Sequence, residues 1–245
     1  MNRLWELTFV EASKDWDVSR NMTIALFFAP GLAFFAAGVL RMVDRAHWSM
    51  YWQEGGPVEW LQFLFLVVAM LFSLFVSKRM FADRGWILAF LYLMLAMGLF
   101  FVAGEEILWG QDILGYETPA ALAQSNYKAE MSVHNVSSLV IWFDVGKLLI
   151  GAYGSFAVFG LMRLSRRIDT ASLMLIVPPL FLTSPFIIML VQRLLRFTLI
   201  TDNIPVGYGE FEELCFYYGI MMFTWLVWRR IRRYQNFDLP TAPSF

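Results

Sequence analysis

The chain alternates long apolar runs with short polar segments. Six runs are long enough, or nearly so, to cross a bilayer: roughly Met22–Leu40, Val58–Ser77, Trp86–Ala103, Val136–Met162, Ala171–Val191 and Phe211–Trp228. A hydrocarbon core of about 30 Å needs about 20 helical residues. No water is available there to satisfy backbone N–H and C=O groups, so each run is expected to be a helix. The period-two alternation of a membrane barrel is absent. The pattern predicts an all-α integral membrane bundle of about six transmembrane helices. It divides into a cytoplasmic N-terminal segment at 1–21, one membrane-embedded domain at 22–228 with a long outer loop at 104–135, and a basic cytoplasmic tail at 229–245. The first twenty residues are polar, with Lys14, Asp15, Asp17 and Arg20, so the first run reads as a signal anchor rather than a cleaved leader.

Charge orients these runs. Lys and Arg concentrate in the N-terminal segment, the second and fourth connections and the tail, where Arg229, Arg230, Arg232 and Arg233 cluster. The alternate connections hold only Arg41, Arg45, Lys128, Arg193 and Arg196. The positive-inside rule then places both termini in the cytoplasm. The tail cluster is expected to anchor topology and touch anionic headgroups. Trp48, Tyr51, Trp52 and Trp60 fall where an amphipathic ring suits a membrane interface. A soluble fold is disfavoured, because 59% of the 245 residues are hydrophobic and 16% are charged. A net charge of −1 suggests no nucleic-acid partner. The single Cys215 excludes an intrachain disulfide, and two histidines exclude a three-histidine metal site.

Acidic residues gather on the opposite side from the bases. Asp44, Glu54, Glu59, Glu105, Glu106, Asp112, Glu117, Glu130, Asp202, Glu210, Glu212 and Glu213 all fall in or beside the outer connections. Glu105 and Glu106 close the third run at a helix C-terminus, where the dipole disfavours negative charge. Either they are two solvated acids at a helix end, or a metal ion, an Arg or a proton offsets them. In the 104–135 loop, Thr118-Pro119 signals a short helix over 119–124. Ser125 is expected to cap a second helix running through Glu130 and His134 into the fourth span. On such a helix Glu130 and His134 share a face. Glu210 and Glu213 also share a face where the sixth run begins, where acids complement the helix dipole and N-terminal capping is the favoured reading. Bundles bring helix ends together, and carboxylates with an imidazole are the ingredients of a metal site or an acid–base pair.

Glu105, Glu106, Glu130 and His134 are therefore the expected catalytic groups. Glu106, Glu130, His134 and Glu213 are the expected ligands of a divalent metal, with Zn, Mn and Fe equally open. Trp109, Gln111, Asn135, Arg193 and Arg196 are the expected substrate contacts, and the two arginines suit a lipid phosphate or the outer glutamates. Asp144 and Lys147, three apart in the fourth run, are expected to neutralise each other. Pro178, Pro179 and Pro185 are expected to break or kink the fifth.

The segment Gly104-Glu105-Glu106-Ile107-Leu108-Trp109-Gly110-Gln111, followed by Glu117-Thr118-Pro119, Asn126, Glu130 and His134-Asn135, resembles a group of uncharacterised bacterial multi-span membrane proteins. The turn Glu54-Gly55-Gly56-Pro57-Val58-Glu59-Trp60 is similar to theirs. The resemblance covers roughly residues 50–140 and implies a bacterial inner membrane, with no activity attached. Glu105-Glu106 also match the acids of the Glu-Glu-x-x-x-Arg motif of CAAX-processing intramembrane proteases. Gly110 stands at the Arg position and Glu130 at the Phe position of Phe-x-x-x-His, which excludes membership. Three functions remain open. The first is a metal-dependent or acid/base hydrolase acting on a lipid or lipid-linked substrate at the periplasmic face. The second is a non-catalytic accessory subunit or assembly factor with a membrane-protein partner, and the third is an ion-coupled transporter.

Overall fold

A computed structural model describes residues 3–52, 55–83, 85–164, 172–198 and 208–233. Glu54, Arg84, Arg166, Arg167, Ala171, Asp202 and residues 234–245 of the predicted 229–245 tail lie outside them. The described chain is all-α, with no strand. Its principal helices are α1 (Arg20–Val43), α2 (Arg45–Trp52), α3 (Pro57–Ala82), α4 (Trp86–Glu106), α5 (Ala120–Ser125), α6 (Val140–Leu164), α7 (Ser184–Thr198) and α8 (Tyr208–Arg233). Four stretches are long and apolar enough to cross a membrane: Arg20–Val43, Arg45–Ala82, Trp86–Glu106 and Val140–Leu164. The bent pair Leu173–Leu182 and Ser184–Thr198 brings the total to as many as five. The sixth predicted run lies in α8, which is long enough but too polar to join them, with Glu210, Glu212 and Glu213 in its first turns and Arg229, Arg230, Arg232 and Arg233 in its last.

Local chemistry sets the helix starts. Ser19 caps α1, its side chain accepting the Met22 N–H at 3.2 Å, which satisfies one of the donors a helix start leaves open. Pro57 opens α3, where its missing N–H has no partner to lose. Glu59 turns back to accept the Gly55 N–H at 2.6 Å, so it serves as a capping carboxylate. The polar N-terminal segment is itself helical from Arg3 to Asp15. It buries Phe9, Ala12 and Trp16 in the main core. It also occupies part of the basic cluster. Arg230 donates to the Asp15 carbonyl and lies over the Trp16 ring at 5.3 Å, while Arg229 donates to the Asp17 carbonyl at 2.8 Å. Those arginines therefore hold the N-terminal helical segment against the end of α8.

The helices pack in the order α4, α3, α8, α7, α6, with α1 against α7 and α2 against α1. α4 and α6, at the two ends of this series, hardly pack against each other. Small residues set the closest approach. A Cβ on Gly151 would stand 3.2 Å from the Leu190 backbone nitrogen, and one on Gly154 would overlap the Phe186 ring. The outward sides stay apolar: Phe35, Ile87, Trp142 and Leu149 are each more than 60% exposed. Exposed apolar surface on this scale fits a lipid surround better than water. Trp48 departs from the interface expectation. It is buried, stacked on Trp52 with ring centroids 4.9 Å apart, in a small core with Phe211 and Cys215.

The fifth run is not one straight helix. Residues 173–182 form two short 3₁₀ turns, and the chain bends by 83° into α7. Pro178 and Pro179 cannot donate to the carbonyls of Met174 and Leu175, so an α-helix cannot continue through them. The Leu175 carbonyl instead accepts the Tyr92 hydroxyl at 2.5 Å, and the next carbonyl, Ile176 O, accepts Tyr153 at 2.7 Å. Tyr92→Phe leaves a buried carbonyl unpaired. It is expected to cost about 1–3 kcal/mol, read as a lower unfolding midpoint by tryptophan fluorescence in detergent. An unchanged midpoint removes this account of how the broken segment is held.

Candidate active site

Antiparallel packing carries the starts of α3, α6 and α8 and the ends of α4 and α7 to one end of the bundle. Each of these helix ends brings charge. Arg193 of α7 is 1% exposed and sits at the centre. Its guanidinium pairs with Asp144 of α6 and with Glu212 and Glu213 of α8. Lys147 of α6 also pairs with Glu213. The expected Asp144–Lys147 pair is therefore not formed. Each residue is claimed by a group on another helix, because α7 and α8 offer charges closer than a neighbour three residues along. The same geometry corrects the expectation for Arg193: buried and tied to three carboxylates, it cannot hold a substrate phosphate. Arg196 is exposed near the start of α8, where a Cβ on Gly209 would stand 3.0 Å from its guanidinium. It does not line either cavity described below.

The 104–135 loop folds differently from the expected pair of helices. The short helix is present as α5, preceded by Pro119. The second helix is absent, and residues 126–139 form turns closed by a bridge between Asn126 and Val136. The reason is local competition for backbone groups. The Asn126 amide donates to Glu130 O at 3.0 Å and Ser132 O at 2.7 Å, and its Oδ1 accepts the Lys128 N–H at 2.8 Å. Ala129 at φ 56° completes the turn. Glu130 and His134 are thus not stacked on one helix face. Glu130 accepts from Asn135 Nδ2 and, at 3.3 Å, from the Ser132 hydroxyl.

Glu105 ties this loop to the end of α4. One carboxylate oxygen accepts the Val133 N–H at 2.6 Å and the His134 N–H at 2.9 Å, and lies 3.1 Å from His134 Nδ1. The other accepts Trp109 Nε1 at 2.7 Å. Glu105 is buried and surrounded by donors, so it is a positioning residue rather than a free base. The Glu105 contact engages Nδ1 of His134 and leaves Nε2 as the ring nitrogen not bound to Glu105. Trp109 is likewise structural. Leu108, Trp109 and Gly110 run through φ 48°, 54° and 86°, a left-handed turn costing about 1–2 kcal/mol per non-glycine residue. The Trp109 ring offsets that cost by packing over Gly104, where a Cβ would come within 2.8 Å. Tyr116 adds hydrogen bonds to both carbonyls, 3.2 Å to Leu108 and 3.0 Å to Trp109. Gln111 accepts the Met131 N–H and donates to Thr118, both within 2.9 Å, and Asn135 accepts from Tyr127 at 2.7 Å. These expected substrate contacts mainly build the loop, although Gln111 and Asn135 also face the cavity beneath it.

That cavity, about 280 Å³, lies between the loop and the helix ends. Its wall includes Glu59, Glu105, Glu106, Glu130, His134, Glu210 and Glu213. At its base, one oxygen each from Glu106, Glu210 and Glu213 lie within 4.8 Å of one another. No other set of three acidic, His or Cys groups among the described residues converges this closely. The expected metal set is therefore corrected. Glu106 and Glu213 meet, Glu210 is the third member, and the ligand atoms of Glu130 and His134 do not join them. Tyr217 donates to Glu106 at 2.7 Å, and Gln62 Nε2 donates to the Glu210 carboxylate at 3.3 Å. Glu210 was read from the sequence as a capping acid. Its three-residue spacing from Glu213 signals a shared face, but nothing in sequence pairs that face with Glu106. Three carboxylates this close repel unless a proton or cation is shared among them.

A second cavity of about 200 Å³ adjoins the first in the gap between α4 and α6. It shares Glu105, Glu106, His134 and Glu213 with the polar cavity, while Phe101, Val102, Trp142, Phe143, Ile150 and Phe216 make its wall apolar. Comparison with protein-family models, curated proteins and solved structures finds no match to this chain.

Arg193→Met is expected to destabilise the fold by about 3–5 kcal/mol, since it leaves buried carboxylates without a counter-charge. Adding Glu212→Gln should restore part of the loss. Equal unfolding midpoints for wild type and Arg193→Met would show that the network carries no such weight.

Proposed function

We propose that this chain is a six-span protein of the bacterial inner membrane, with both termini in the cytoplasm, and that it is a hydrolase-type enzyme acting on a lipid or lipid-linked substrate at the periplasmic face. The observation that carries the enzymatic reading is the meeting of a polar and an apolar cavity at Glu106, His134 and Glu213. A lipid presents the same division at its head-to-chain junction, where its hydrolysable bonds lie. Glu106, Glu210 and Glu213 supply the acid–base capacity, and His134, held by Glu105, supplies an imidazole at the same boundary. The topology is supported by the distribution of Lys and Arg and by the apolar outer surface.

Lys147 and Arg193 offset Glu213, and Glu106 and Glu210 balance the remaining charge with a shared proton or a divalent cation. If it is a cation, three carboxylates with no imidazole favour an oxygen-preferring ion such as Mn²⁺ or Mg²⁺ over Zn²⁺. Elemental analysis of purified protein separates the two cases. A stoichiometric ion lost in Glu210→Gln assigns the cation, whereas activity that persists in chelator without metal assigns the proton.

The direct test incubates detergent-purified protein with vesicles of bacterial polar lipids and follows released headgroups and fatty acids by mass spectrometry. Wild type and Glu117→Gln, at an exposed loop position, should release product. Glu106→Gln and Glu210→Gln should be slower by about 10²–10⁴, with unfolding midpoints near wild type. Product release equal in all four proteins, or absent from wild type on every lipid class, overturns the enzymatic reading.

Orientation is tested separately in Cys215→Ser with single cysteines at Lys128 and Lys78. An impermeant maleimide added to intact spheroplasts should label position 128 and not 78. The reverse pattern inverts the proposed topology.

A further inference from the structure

The gap between α4 and α6 has the form of a side door. Neighbouring helices elsewhere in the series pack closely, but these two hardly touch, and the apolar cavity fills the space between them. Trp142 and Ile150 line it while remaining 69% and 46% exposed, so it reaches the outer surface of the bundle. Gly146 faces the same space and has nothing within 4 Å of where a Cβ would stand. In a bilayer the solvent at this opening is hydrocarbon, and a lipid chain can enter without crossing water.

Charge specifies what the chain is attached to. The adjoining polar cavity is walled by seven carboxylates, Glu59, Glu105, Glu106, Asp112, Glu130, Glu210 and Glu213, against Lys128 and His134. Arg193, the expected phosphate ligand, is sealed in the ion-pair network and absent from both cavities. An anionic headgroup would meet net repulsion here, whereas a primary ammonium donates three hydrogen bonds and finds acceptors in Glu106 and Glu210, which among the described residues accept only from the Tyr217 and Gln62 side chains.

Building on the lipid-hydrolase reading, we infer that the substrate is an amine-bearing lipid, admitted sideways between α4 and α6 with its hydrocarbon chain along Phe101, Trp142, Gly146 and Phe216 and its ammonium group among the carboxylates of the loop cavity. The site thereby selects against anionic phospholipids of the same chain length.

Native mass spectrometry of the detergent-purified chain, titrated with dioleoyl phosphatidylethanolamine or dioleoyl phosphatidylglycerol, tests this without turnover. Wild type should hold the ethanolamine lipid at least about tenfold more tightly, a difference of about 1.4 kcal/mol. Gly146→Phe fills the cleft and should abolish that preference. Gly160→Phe, on the same helix at an exposed position with equally open space, should retain it. Equal binding of the two lipids, tighter binding of the glycerol lipid (with or without added divalent cation), or a preference untouched by Gly146→Phe each overturns the inference. Binding selectivity without hydrolysis leaves the cleft intact and removes only the enzymatic reading. Hydrolysis without amine preference does the opposite.

Discussion

A single buried guanidinium holds the charged end of this bundle together. Arg193 lies between α6, α7 and α8 and is matched by Asp144, Glu212 and Glu213, with Lys147 also on Glu213. In a low-dielectric surround none of these charges could be tolerated alone. Packing α7 against both α6 and α8 is therefore also a requirement of charge balance. Once Arg193 fixes the first turns of α8, Glu210 and Glu213 have no freedom to turn away from Glu106. The acidic triad follows from a structural ion-pair network with which it shares Glu213.

The same logic operates at the end of α4, with hydrogen bonds in place of ion pairs. A carboxylate at a helix C-terminus is electrostatically misplaced, and Glu105 is stabilised there by donors from a loop almost thirty residues away. That loop in turn depends on the left-handed turn at Leu108–Gly110 and on the Trp109 ring that packs over Gly104. Adjacent glutamates thus have opposite fates. Glu105 is consumed in building the roof, while Glu106, one residue on and pointing to α8, keeps a free edge toward the cavity. Strain stored in a non-glycine left-handed turn beside a cavity is a common companion of functional sites, and here it sets where the roof stands.

Sequence and structure agree on what depends on composition along one segment. Long apolar runs give helices except where the Pro178-Pro179 pair breaks the fifth, because each effect is settled within a few residues. The gathering of carboxylates toward one end of the bundle was also legible, since antiparallel neighbours must alternate their ends. Partner identity was not. Asp144 and Lys147 satisfy the local rule for a helix pair and yet bond elsewhere, because charges brought in by α7 and α8 lie closer. Glu130 and His134 have helical spacing, but the Asn126 side chain takes the backbone groups that a helix would need. The sequence by itself therefore determined the solvent and the helices, which depend on short-range periodicity and transfer energy. Only the tertiary structure decided which acids share a cavity, which one is spent on the loop, and that a gap opens between α4 and α6, because those outcomes depend on distances between residues far apart in the chain.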